Sequence, residues 1–223
     1  MKPSSVRYLA STLFVSGLAM AVMPIAAPAQ EDWLVRGRLI HVAPNDSSGA
    51  VTTLPGSGVA VGADSTLELD FTYMLNPNLG LELILATTKH DLNGKGTIAG
   101  LGKIGETGVL PPTLTLQYHF APRAAVRPYA GVGMNYTLFY SNKSSAALNA
   151  ALGGPTSVDL SNSWGPALQA GLDVDLTKDW FLNFDAKYIW IDTKATLTTG
   201  GTTRTVNVDI NPWVFGVGVG RRF

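Results

Sequence analysis

The stretch from Asp209 to Phe223 constrains the fold most. Counting back from Phe223, alternate positions carry Arg221, Val219, Val217, Phe215 and Trp213, with Arg222, Gly220, Gly218, Gly216 and Val214 between them. A period of two puts bulky residues on one face of a strand and mostly glycine on the other. The stretch stops on an aromatic ring instead of running into a turn. Two placements fit such a strand: a buried edge of a soluble sandwich, or the wall of a barrel whose outer face meets lipid.

The rest of the chain decides between them. Charged residues make up 14% of the sequence, against a usual share of about a quarter. Glycine is abundant, at 24 residues, without a low-complexity tract to explain it. There is no cysteine, which excludes thiolate metal sites and cysteine nucleophiles and fits passage through an oxidising periplasm. A formal charge of zero points to no nucleic acid or strongly acidic partner.

The first residues read as a secretory leader. Lys2 and Arg7 are followed by an apolar core from Tyr8 to Val22, then by the small-residue pattern Ala27-Pro28-Ala29. The expected division is a signal peptide over 1–29 and a mature unit over 30–223. Beyond the leader no run of ~18 apolar residues occurs, so any membrane crossing is made by strands.

Along the mature unit, eight alternating segments follow one another. The clearest has Leu67, Leu69, Phe71, Tyr73 and Leu75 on one face and Glu68, Asp70 and Thr72 on the other. Three stretches read as long loops: 45–63, 89–108 and 141–163, the last with a short helical turn over Ala146–Leu152. Between them lie short connections such as Asn76-Pro77-Asn78 and Thr177-Lys178-Asp179. Long and short connections alternate, as in an up-and-down antiparallel transmembrane β-barrel of eight strands with short periplasmic turns and long extracellular loops. The tryptophans test this independently. Trp33 and Trp180 open strands at the short-turn end, and Trp164, Trp190 and Trp213 fall at the other. Indoles belong at membrane interfaces, so the barrel is the better reading.

The inward parity divides the lumen. A periplasmic floor is expected from Arg36, Asp70, Glu82, His119, Asp173, Asp175, Asp185 and Arg222, with Gln117 and Asn183 beside them. Unpaired buried charge is costly, so these groups should pair across the barrel. Above them Ile40, Val42, Ile84, Ala86, Ile189, Ile191 and Val214 make an apolar lumen suited to an apolar ligand. Lys187 is an ionic member of that lumen, expected to pair with Glu82 or Asp185. An interior merely packed with whatever fits is the plainer alternative.

Several runs together resemble the OmpW/AlkL family of outer-membrane proteins. They are Arg127-Pro128-Tyr129-Ala130-Gly131-Val132-Gly133 with Asn135-Tyr136-Thr137, Leu110-Pro111-Pro112-Thr113-Leu114, Asp192-Thr193 and Asn211-Pro212-Trp213-Val214-Phe215. Leu69 to Met74 and Asp179-Trp180 also fit, and the likeness spans the mature chain. It implies an eight-stranded barrel in the bacterial outer membrane with a narrow hydrophobic channel for uptake of small hydrophobic molecules. Phe223 resembles the aromatic residue read by the outer-membrane assembly machinery, though Arg221 stands where a second aromatic is usual.

Three function classes remain open: a passive channel for hydrophobic solutes, a surface-recognition barrel whose loops bind phage, toxin or host, and a lipid-modifying enzyme. For the last, a site can be assembled on paper around His90 and Asp91, but nothing marks a nucleophile. No enzyme activity, cofactor or metal is expected. The expected partners are outer-membrane lipid and lipopolysaccharide, the assembly machinery with periplasmic chaperones, and small hydrophobic solutes, around a monomeric barrel. A solute held above a charged floor has a poor route down into water. A sideways exit is expected at Pro111 and Pro112, where missing N–H groups weaken the ladder; ending a loop is their alternative role.

Overall fold

The computed structural model describes residues 33–223; the leader expected over 1–29 and its cleavage lie outside the described residues. In chain order the first strands are β1 (Trp33–Ala43), β2 (Ser47–Ser48), β3 (Ser57–Val61), β4 (Asp64–Met74) and β5 (Leu79–Ala86). They are followed by β6 (Thr88–Gly96), β7 (Lys103–Leu110), β8 (Thr113–His119) and β9 (Val126–Ser144), with a short 3₁₀ turn over Ala99–Leu101. Helix α1 (Ala146–Leu152) precedes β10 (Thr156–Leu160), β11 (Ser163–Asp175), β12 (Trp180–Ile189), β13 (Asp192–Thr199), β14 (Thr202–Asp209) and β15 (Trp213–Arg222).

Eight of these strands close a ring. Antiparallel pairing runs β11-β12-β15-β1-β4-β5-β8-β9, and β9 pairs back onto β11. Closure leaves no free edge along the ring, as a wall facing lipid requires. The turns 75–78, 120–125 and 176–179 share one end, termed lower, with both ends of the described chain. Trp33 N–H donates to the Phe223 carbonyl (3.3 Å) and Phe223 N–H to the Trp33 carbonyl (2.9 Å).

The alternation works as the sequence suggests. Leu67, Leu69, Phe71, Leu114, Leu116, Val132, Phe184, Phe215, Val217 and Val219 stand exposed on the outer face. Trp33 with Tyr73, and Trp180, ring the lower rim, while Tyr136 with Trp164, and Tyr188 with Trp190 and Trp213, ring the upper one. That is the two-girdled band of a bilayer-spanning barrel.

Of the three long stretches expected as loops, 45–63 is mostly loop with β2 and β3 inside it, while 89–108 and 141–163 are largely structured. Strands β6 and β7 prolong the wall upward, with β3 pairing on β6 and β7 on the upper part of β9. A second sheet, β10-β13-β14-β2, rises from the opposite side. Glycine and threonine enrichment masks period-two segments there, such as Thr193, Ala195, Leu197 and Thr199 facing in. The helical turn over Ala146–Leu152 is present. Ser145 Oγ caps it by accepting from Leu148 N–H (3.1 Å), and Gly153, at φ 85°, ends it in the left-handed region. Leu148 and Leu152 point down from it and help roof the barrel's apolar interior.

Candidate functional site

The lower half of the lumen is filled by a charged plug. Arg36, Arg38 and Lys187 face the carboxylates of Glu68, Asp70, Glu82, Asp173 and Asp185, all nearly or fully buried. Arg36 Nη1 lies 3.0 Å from Asp70 Oδ1 and donates to Thr72 Oγ1 (2.7 Å), while Nη2 meets Asp173 Oδ2 at 3.0 Å. Arg38 donates to Asn183 Oδ1 (2.6 Å), Glu68 Oε1 (2.8 Å) and Glu82 Oε1 (3.1 Å). Its Nη2 is also 3.2 Å from Asp70 Oδ2, but not in hydrogen-bonding geometry, so that oxygen is an ion-pair contact only. Gln117 bridges Glu82 Oε2 (2.7 Å) and Gln169 Oε1 (3.1 Å), and Gln169 donates on to Asp185 Oδ2 (2.8 Å).

Two aromatic residues underpin the plug. Tyr129 donates to Asp185 Oδ2 (2.8 Å), and Phe181 is fully buried with the guanidinium groups of Arg36, Arg127 and Arg222 at 5.3 to 5.5 Å from its ring centre. Glycine on the facing strands makes both placements possible. A Cβ at Gly220 would sit 2.3 Å from the Phe181 ring, and one at Gly171 would sit 2.2 Å from Tyr129. The inward glycines of the C-terminal strand are thus space for the plug.

Of the residues expected in the floor, Arg36, Asp70, Glu82, Asp173 and Asp185 come together in this network. His119 joins through Gln117 Oε1, 3.2 Å from its Nε2. Asp175 and Arg222 do not: they pair with each other at the partly exposed lower rim, where Arg127 joins them. Lys187 pairs with Asp185 (2.6 Å) and Glu68 (2.8 Å), not with Glu82, so the expected Glu82 alternative is corrected. It is the top of the plug as well as the bottom of the lumen. Arg38, Glu68 and Tyr129 were missed as members, although their inward parity was readable.

Above Lys187 lies an apolar chamber of about 70 Å³ walled by Ile40, Val42, Ile84, Ala86, Ile189, Ile191 and Val214. A second chamber of about 140 Å³ sits over it, between the two extensions and under α1; Val59, Leu92 and Ala195 line both. His90 borders the lower chamber. Its Nδ1–H donates to the Gly62 carbonyl (2.6 Å) and its Nε2 accepts from Thr88 Oγ1 (2.9 Å). Burial pushes its pKa below the ordinary histidine value, against the opposing pull of the Gly62 carbonyl, Asp64 and Asp91. Asp91 points out of the wall to Lys103 Nζ (2.6 Å), so His90 and Asp91 do not form a catalytic pair.

The wall beside the lower chamber is interrupted. β5 pairs with β8 as far as Ile84↔Thr113, and β6 pairs with β7 from Thr88↔Val109 in continuous register. Between them, among the described residues, no backbone hydrogen bond joins 85–87 to 110–112. Pro111 and Pro112 have no N–H to give. On their other side the same break is stitched: Tyr136 N–H donates to the Pro112 carbonyl (3.0 Å) and Asn135 Nδ2 to the Pro111 carbonyl (3.0 Å). Pro166 and Pro212 show no such gap, since their carbonyls accept from Trp190 N–H (3.1 Å) and Ile189 N–H (3.2 Å). Tyr140 reaches over Gly108 to the Thr87 hydroxyl and braces the upper margin of the interruption. Ile84, Ala86, Thr88, Val109, Pro111 and Thr113 line the chamber on both sides of it.

A closed eight-stranded antiparallel barrel with a lipid-facing apolar band and aromatic girdles is an outer-membrane β-barrel protein. The chain belongs to the OmpW family, whose family model matches residues 29–223. It is 37% identical to outer membrane protein W of Vibrio cholerae serotype O1, over 92% of this chain and 94% of that protein. It is 28% identical to the dibenzothiophene metabolism operon protein PahQ of Pseudomonas aeruginosa, over 87% of this chain and 90% of that protein. Among solved structures, the outer membrane protein OprG from Pseudomonas aeruginosa superposes with a TM-score of 0.80 at 34% identity, covering 86% of this chain and 96% of OprG. The upper end is therefore extracellular and the lower end periplasmic.

Proposed function

We propose that this barrel takes up small hydrophobic molecules from outside the cell and releases them sideways into the outer membrane. The observation that carries this reading is the position of the wall interruption, beside an apolar chamber that is shut below by the charged plug. A hydrophobic solute in the chamber faces Lys187 and Glu68 beneath it and lipid beside it. Passing down would strand apolar surface against buried charge, then in water. Passing through the wall keeps it out of water, and each CH₂ kept buried contributes roughly 0.8 kcal/mol. Ile40, Val42, Ile84, Ala86, Ile189, Ile191 and Val214 serve as the lining, Arg36, Asp70, Glu82, Asp173 and Asp185 as the barrier, and Pro111 and Pro112 as the margin of the exit.

The name of the PahQ relative, which places it in an operon for dibenzothiophene metabolism, supports a solute of this class. The test is uptake of an apolar solute by intact cells with a lipopolysaccharide outer leaflet, with and without the barrel. Faster entry that survives trimming of the hairpin tip at Gly200-Gly201 supports the reading. Entry at the rate of cells lacking the barrel would overturn it.

A further inference from the structure

The upper chamber contains a cation with nothing to hold. Arg204 on β14 lines it; the residue is half-buried, and its Nε and Nη1 are buried without a hydrogen-bond partner among the described residues. Among the described residues every other cation of the barrel interior has a carboxylate partner: Arg36 and Arg38 each reach several, Lys187 has Glu68 and Asp185, and Arg127, whose Nη2 also lacks a hydrogen bond, has Asp175. Arginine cannot relieve the mismatch by losing its proton, and a desolvated, unpartnered N–H is costly. The remaining lining is Val51, Leu54, Ile98, Leu148, Val158, Val206 and similar apolar side chains, with no carboxylate. The chamber thus presents two buried donors of a fixed positive charge at one point and hydrocarbon everywhere else.

We infer that the upper chamber is a binding site for single-chain amphiphilic anions of the alkyl carboxylate class, with the carboxylate on Arg204. The chain would lie along Leu148, Val158 and Val206 toward Val59, Leu92 and Ala195, the residues shared with the chamber below. A carboxylate supplies what the guanidinium lacks, because charge-assisted hydrogen bonds are the strong ones and strengthen away from water. A neutral alkane fills the same apolar space but leaves Arg204 unsatisfied, and an alcohol offers its N–H groups one uncharged acceptor and no countercharge. A quaternary ammonium adds a second positive charge beside it. The site therefore ranks alkyl carboxylate above alkanol, and alkanol above alkylammonium. This deepens the uptake reading by naming a solute class for its first chamber.

The test is equilibrium binding, which needs no transport and so stands or falls separately from the uptake assay. The full barrel is placed in lipid nanodiscs at mildly alkaline pH and titrated calorimetrically with decanoate, decanol and decyltrimethylammonium, subtracting empty nanodiscs. Arg204→Gln is expected to weaken decanoate binding by about tenfold or more, the scale of a lost charge-assisted hydrogen bond, and to weaken decanol binding severalfold less. Arg204→Lys should restore part of the decanoate affinity. Leu197→Trp, which fills the chamber, should lower both affinities; retained mobility shift on unheated gels shows that each variant is folded. Equal binding of decanoate and decanol by the native barrel would overturn the inference, as would decanoate binding indifferent to Arg204→Gln.

Discussion

Arg38→Ala removes the residue on which the plug converges. The native guanidinium donates to Asn183, Glu68 and Glu82 and lies against Asp70, with no exposure to solvent. Without it Glu68 keeps Lys187 and Glu82 keeps Arg36 (3.5 Å), Thr115 and Gln117, but the plug's existing excess of carboxylates over cations grows. Removing one partner from a buried ionic network costs about 3–5 kcal/mol, most of it from the charges left behind. The variant should therefore unfold at markedly lower urea in lipid vesicles, followed by tryptophan fluorescence and by the mobility of unheated samples on gels. Lys95→Ala gives the contrast: its pair with Asp46 is about half exposed on the lysine side, and such pairs contribute less than about 1 kcal/mol. A loss for Arg38→Ala below about 1 kcal/mol would refute the reasoning, since it would mean that the plug is solvated like a surface.

Other consequences are open to measurement. Single-channel conductance of the native barrel in planar bilayers should be small, because the plug fills the lumen; a large stable water-filled current would contradict it. Gly220→Val should destabilise by about 1–3 kcal/mol through collision with Phe181, and Phe181→Leu in the same chain should recover part of the loss. His90 is buried with its pKa held below the ordinary 6.5, so the opened form binds the proton more readily. Stability of the β3–β6 pairing should be full above about pH 6.5 and decline as pH falls toward the lowered native value. Amide exchange over 58–62 and 88–94 at pH 5 and pH 7.5 reads this, and His90→Gln should flatten the difference. Deleting Phe223 should slow insertion into the outer membrane without slowing export; normal insertion at native expression would remove its assembly role.

The wall was legible in the sequence because lipid outside and side chains inside enforce strict alternation, as in Leu67 to Leu75. The aromatic girdles were legible for the same reason. The upper extensions were not. Above the bilayer the outer face meets water, so Lys89, Asp91 and Asn93 alternate with Thr88, His90 and Leu92 among glycines, and the pattern reads as loop. The plug was half legible. Parity shows that Arg38 and Glu68 face in, but their place in it depends on how far neighbouring strands are staggered, as in Arg38↔Glu68 and Arg36↔Asp70. Stagger is set by barrel closure and leaves no local trace. The Pro111-Pro112 break was visible as missing donors. Which side of it stays open was not, because Asn135 and Tyr136 stitch one side from a distant strand. Arg204 escaped notice because its isolation is a property of sixteen chamber-lining residues brought together by folding.

The sideways exit is the central claim, and a reversible clasp tests it most directly. Continuing the register one step past Ile84↔Thr113 sets Leu85 opposite Pro112, neither of which lines the chamber, and the chain has no cysteine of its own. Leu85→Cys with Pro112→Cys therefore gives a single disulfide across the gap on oxidation, without placing atoms in the chamber. In intact cells, uptake of an apolar solute should fall to the level of cells lacking the barrel when the pair is fully oxidised, and recover on reduction. Unchanged uptake through the fully cross-linked barrel would contradict the account.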